Sequence, residues 1–163
     1  ADSFSLFNSG DVLISARNLN LILVFNPETK KVIWYQTGPF LRQHDVDFQP
    51  NGTITVFNNN TDETSGNRFG GSNILEIEPE SRRARIKYRA PKFYSRTQGE
   101  HQILSDGRMV VAESTRGRVF MVDEQGKLIL EYIERVDGEI VRQSNVRIYT
   151  KDYFEKDIQC HNG

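Results

Sequence analysis

The sequence is poor in the residues that most site chemistry needs. It holds one cysteine, Cys160, and three histidines, His44, His101 and His161. A single cysteine excludes an internal disulfide framework and any metal site built from several thiolates. No apolar run approaches the length of a membrane-spanning helix, and the first residues lack a charged-then-apolar signal pattern. Neither charge is in surplus: 21 Lys and Arg stand against 22 Asp and Glu, interspersed along the chain, for a net charge of -1. That balance argues against a nucleic-acid partner, whose binding face concentrates basic charge. The densest basic run, SRRARIKYRA at 81–90, alternates with Ala84, Ile86 and Tyr88, as a half-exposed strand does. There is no glycine-rich phosphate loop, nucleophile elbow or metal-binding helix motif, and TRGRVF lacks the remaining glycines of a nucleotide loop.

What is present is repetition. The chain's 163 residues suffice for one ordinary domain, and 26% charged with 37% hydrophobic residues is a globular mixture. Three segments share one grammar. The first is SFSLFNSGDVLISARNLNLILVFNPETKKVIWYQ. The second is DVDFQPNGTITVFNNN, an insertion, then SNILEIEPESRRARIKYRA. The third is HQILSDGRMVVAESTRGRVFMVDEQGKLILEYIE. Each opens on a short alternating run that turns at a glycine (Gly10, Gly52, Gly107), and such turns demand the positive φ that glycine tolerates. An alternating strand follows (DVLIS, TITVF, RMVVA), then a third (LILVFN, NILEIE, RVFMVD) and a fourth (KVIWYQ, ARIKY, LILEY). Period two dominates, and helical spacing is absent.

Repeated four-stranded antiparallel units at this spacing predict an all-β chain and a β-propeller of about three blades, at about 1–38, 39–92 and 93–136. A β-sandwich from the same hairpins is the second architecture, but it needs no such repeat. A propeller normally needs at least four blades to close. Three predict a part of a larger propeller, or one completed by another protein chain. The abrupt start ADSFSLF would suit a processed N-terminus or a piece of something longer. Residues 141–163 leave the repeat, with a strand expected at NVRIYT and then an irregular tail. NGT at Asn51 and NNT at Asn59 formally match the glycosylation acceptor, a triplet common by chance.

The third repeat resembles the blade of arylsulfotransferase-like proteins of the quinoprotein-type propeller group. The residues that carry the resemblance are Gln102, Leu104, Asp106, Gly107, Gly117, Arg118, Gly126, Glu131 and Tyr132. RQHDVDFQPNGTITVFNNN is similar to that family's Gln-His-Asp strand with its following turn, and GDVLISARNLNLILVFNPETKKVIWYQTGP to the blade before it. The likeness spans roughly residues 10–153 and identifies the propeller type better than the reaction. It implies periplasmic or secreted six-bladed enzymes that move sulfate between phenols without a nucleotide donor, through a sulfated histidine on the channel wall. Neutral imidazole is a good nucleophile near neutral pH, and cationic or amide donors stabilise the charge that sulfuryl transfer builds. About half the expected blades, and so half the expected site, are present.

On this reading His44 enters an innermost strand at the mouth of a central channel, with Asp45 able to orient a ring. The insertion at 61–71 lies on the same face. His101 falls two residues deeper in the third repeat, so both rings could line one channel. His44 and His101 are the candidate catalytic groups, and Arg42, Arg96 and Asn58 the candidate anion or substrate ligands. For each a bland role stands beside the functional one: a backbone-bonded histidine, an exposed arginine, an amide that makes turns. Asn59 and Asn60 share the amide reading. Trp34, Tyr35, Tyr88 and Tyr132 fit packing between blades, and Arg17 and Asn18 a structural loop. His161 beside Cys160 is no metal site. No cofactor and no metal are expected; a pyrroloquinoline quinone has no supporting cysteine pair or calcium cluster.

Two functions follow. The first is a binding or scaffolding subunit in a larger extracytoplasmic or membrane-associated assembly. The second is an aryl sulfate sulfotransferase working through a sulfohistidine, with an aryl sulfate or phenol as ligand.

Overall fold

The computed structural model describes residues 5–62, 69–150 and 153. Its regular structure is antiparallel sheet, with two 3-10 turns and no α-helix among the described residues. The first sheet is β1 (Val12–Ala16), β2 (Leu21–Asn26) and β3 (Lys31–Thr37), in that order. The second is β4 (His44–Phe48), β5 (Ile54–Asn58), β6 (Asn73–Glu78) and β7 (Arg83–Tyr88). The third is β8 (Glu100–Ile103), β9 (Met109–Glu113), β10 (Arg118–Val122) and β11 (Leu128–Ile133). Each strand pairs with the next in sequence, so all three sheets are simple meanders.

The turns obey their residues. Gly52, at φ 85°, donates to Gln49 O at 2.9 Å, and Gly107, at φ 83°, to Leu104 O at 3.0 Å. These are equivalent turns, each joining the first strand of a sheet to its second. The 3-10 turns Arg17–Leu19 and Ser114–Arg116 also match, each ending on a left-handed residue, Asn20 and Gly117. The corresponding stretch of the second repeat holds the insertion, of which 63–68 lie outside the described residues.

Alternation decides how the sheets stack. Ile54 and Val56 of β5, with Leu75 and Ile77 of β6, pack on Ile22, Val24 and Trp34 of the first sheet. Phe57 and Ile74 point the other way, onto Met109, Val111, Phe120 and Val122 of the third. The second sheet is therefore covered on both faces, which is why every residue of β5 is buried. Trp34 and Tyr88 join these layers: Trp34 meets Phe7 edge-on at 6.0 Å, and Tyr88 lies 5.8 Å from Phe93 and from Phe120. No core cluster among the described residues joins the third sheet back to the first, so the stack is open.

Two local expectations come out differently. The strand expected at NVRIYT makes no ladder; residues 141–150 run irregularly, while Arg135–Val136 (β12) and Glu139–Ile140 (β13) form a short hairpin. Gln102 explains the docking of that segment without a ladder. Its side chain donates to Ile148 O at 3.1 Å and accepts from Ile148 N at 2.7 Å. The opening run SFSLF lies partly outside the described residues, and residues 5–7 are not in a strand.

Candidate functional site

The polar side chains that matter converge where β4 and β8 lie side by side. β4 carries a bulge between His44 and Val46, leaving Asp45 unpaired at φ 45°. A non-glycine residue in that conformation, inside a bulge, marks a side chain that has been re-aimed. Val46 keeps its place on the first core. His44 and Asp47 pair with Phe57 and Thr55, and so face the third sheet.

His101, at 0% exposure, is the centre of the arrangement. Its register with Val111 turns the ring toward the second sheet. Nε2 lies 2.8 Å from Thr55 Oγ1, which also accepts from Gln49 Nε2 at 2.8 Å. Asp45 Oδ2 takes the His101 backbone N–H at 2.5 Å and stands 2.7 Å from ring Nδ1. Despite that proximity Nδ1 makes no hydrogen bond, so the carboxylate lies close to the ring nitrogen without a directed bond to it. Asp45 lies against a ring, as its place in the sequence allowed, but the ring is that of His101, and the directed bond is to the His101 backbone.

Arg147, from the irregular segment, closes the cluster. One guanidinium nitrogen is 2.8 Å from Glu100 Oε1, and another donates to His101 O at 3.1 Å. Asp45 and Asp47 are farther from it, at 3.8 and 4.0 Å. Three carboxylates thus share one guanidinium. Burial lifts the Asp47 carboxyl above its ordinary range, reinforced by the Asp45 charge and opposed by His101 and Arg147. Burial also lifts Glu100, opposed by the Val146 N–H and Arg147.

Both groups hold a proton more tightly in the folded chain than in the unfolded one. Their contribution to stability is fully present below the unfolded carboxylate range and is lost as pH rises through the folded values. Carboxyl carbon NMR titration is expected to place the Asp47 and Glu100 midpoints above those of the same side chains in an unfolded peptide. Midpoints at or below those values would mean that Arg147 outweighs burial.

His44 sits apart from this cluster with its own partner. Nδ1 is 2.7 Å from Asn59 Oδ1. Asn59 Nδ2 donates to Ser95 O at 2.9 Å and Gln98 O at 2.7 Å, so its oxygen is the end that faces the ring. His44 must then donate from Nδ1, and its neutral form carries the lone pair on Nε2. The two histidines do not share partners: His44 is half-buried beside the 95–98 loop, and His101 is sealed between sheets.

The remaining candidates are placed by backbone needs. Arg42 is half-buried, its N–H held by Asn20 Oδ1 at 2.8 Å and its guanidinium by Asn18 Oδ1 at 3.0 Å. Arg17 also donates to Asn18, so the ARNLN loop is the support of Arg42. Arg96 is exposed, with its N–H directed at Thr115 Oγ1 at 3.3 Å. Asn58 is buried; it accepts from Leu41 N and Asn60 N and donates to Asn73 Oδ1. Asn60 donates to Phe69 O and Gly71 O, closing the base of the insertion. Cys160 and His161 lie outside the described residues.

Asp47, Glu100, Thr55 and Arg147 escaped the sequence reading as site residues. The only signal was local, the paired acids of HDVDF and the EH of GEHQI, and Arg147 gave none.

The fold and site define an all-β, stacked-sheet protein with a buried histidine–carboxylate cluster at its inner strands. The chain belongs to the arylsulfotransferase (ASST) family, whose model matches residues 2–135. Among solved structures it is similar to a protein of unknown function from Bacteroides caccae, at 20% identity and a TM-score of 0.44, covering 73% of this chain and 39% of that one. It is also similar to apo AztD from Citrobacter koseri, at 13% identity and a TM-score of 0.44, covering 76% of this chain and 31% of that one. The chain thus spans well under half the length of either structure. No curated protein matches it.

Proposed function

We propose that this chain is a segment of a β-propeller, with its three large sheets as blades, that acts as a binding module. Further blades or a partner chain would cover its ends, in an extracytoplasmic or membrane-associated assembly. The observation that carries this reading is a pair of open apolar faces. Ile14, Leu23 and Tyr35 stand opposite one another across the first sheet, on the side turned from its core, with Ile14 40% and Tyr35 56% exposed. On the third sheet Met121 pairs with Leu130 and Val119 with Tyr132, and Leu130 and Tyr132 are 49% and 52% exposed. Apolar rows at both ends of a stack are interaction surfaces, and propeller blades cover one another face to face.

The second reading, sulfuryl transfer between phenols, is favoured by one observation, the Asn59 amide that leaves His44 Nε2 as the nucleophilic nitrogen. Its anion ligands would be Arg42, Arg96 and Asn58. His101 is the weaker nucleophile because it is sealed from solvent.

One experiment separates the two. Purified chain is analysed for mass in solution and for phenol release from a chromogenic aryl sulfate, beside its His44→Ala variant. A module is expected to self-associate or hold a partner, with phenol release no greater than the variant's. A stable monomer would remove the module reading, and turnover lost in His44→Ala would establish the transferase instead.

A further inference from the structure

Asp45, Asp47 and His101 bring ligand-type atoms within 4.8 Å of one another. Three features distinguish them from a simple acidic cluster. His101 Nδ1 is fully buried, faces the carboxylates and makes no hydrogen bond. The other ring nitrogen is held by Thr55 Oγ1, the kind of outer contact that fixes an imidazole for ligation. Arg147, the only cation within 4.0 Å of the two aspartates among the described residues, stands beyond hydrogen-bond reach of both.

We propose that Asp45, Asp47 and His101 bind a first-row transition-metal dication, and that the Arg147 guanidinium is the charge with which this metal competes. The donor set decides the class. Two carboxylates with one imidazole form a mixed oxygen–nitrogen set, whereas calcium and magnesium take oxygen ligands. Three protein ligands leave a position open on a four-coordinate ion. Arg147 needs to give up only its long contacts to Asp45 and Asp47. Its bonds to Glu100 and His101 O hold the 141–150 segment in place. The bulge at Asp45 sets where its carboxylate meets the imidazole, 2.7 Å from Nδ1. The inference stands independently of the propeller and binding-module reading.

The test uses Co2+ as the probe, titrated into the purified chain and followed by calorimetry and visible absorption. One Co2+ per chain is expected, with bands of oxygen and nitrogen coordination. Asp47→Asn alters a partly exposed carboxylate, so it tests the site without emptying the core, and circular dichroism checks its fold. That variant is expected to bind about tenfold more weakly or worse, and Arg147→Gln several-fold more tightly. Failure to bind one equivalent, or unchanged affinity in Asp47→Asn, would overturn the site. Unchanged or weaker affinity in Arg147→Gln would overturn the competition.

Discussion

Replacing His101 with alanine is expected to lower the unfolding free energy by about 3–4 kcal/mol. The imidazole is completely buried, so truncation leaves a cavity with few atoms free to fill it. It also removes one of the two partners of Thr55 Oγ1, which keeps only Gln49 Nε2, and leaves Asp45 with only the backbone N–H and a distant guanidinium. Losing a partner from a buried polar group costs about 1–3 kcal/mol by itself. Urea denaturation checks this, and a loss under about 1 kcal/mol would show that the ring does not wedge the second and third sheets together. The consequence reaches the functional question. Lost activity in His101→Ala would report lost structure, so a nucleophile must be sought through His44.

Gly99→Ala is the second large effect, at about 3 kcal/mol or more. Gly99 sits at φ 135°, a conformation that L-residues rarely adopt, and immediately precedes β8. A Cβ there would drive into the Phe57 ring. That ring cannot yield cheaply, because it stacks edge-on against Phe93 at 5.5 Å, and Phe93 against Phe120 at the same distance. Strain and overpacking therefore add. The melting temperature is expected to fall by roughly 10 °C, the scale for such a loss in a domain this size. A fall of only one or two degrees would mean that the backbone at Gly99 can shift away and that β8 is loosely anchored.

Much of the fold was legible because strands announce themselves locally. Period-two alternation in TITVF, NILEIE and RMVVA, with glycine at the turns, marks β5, β6 and β9 directly. NVRIYT shows the limit of that signal. It alternates as a strand does, yet it docks through the Gln102 amide and the Arg147 guanidinium in place of a backbone ladder. Local pattern records which residues prefer extended backbone, and it carries no record of which edge will accept them.

The site shows the same division. The sequence by itself determined the all-β class, the repeated meanders, the family and the small inventory of chemical groups, because each depends on neighbours in the chain. Only the tertiary structure decided what those groups do. His44 and His101 occupy related places in two repeats, but one ring meets an asparagine pinned by two carbonyls and the other a cluster of carboxylates. Asp45 reaches the backbone of His101 across 56 residues, and Arg147 reaches His101 O across 46. Those contacts exist because stacking sheets brings inner strands together and a bulge turns Asp45 between them. Burial then sets the access of each group, partly open at His44 and closed at His101.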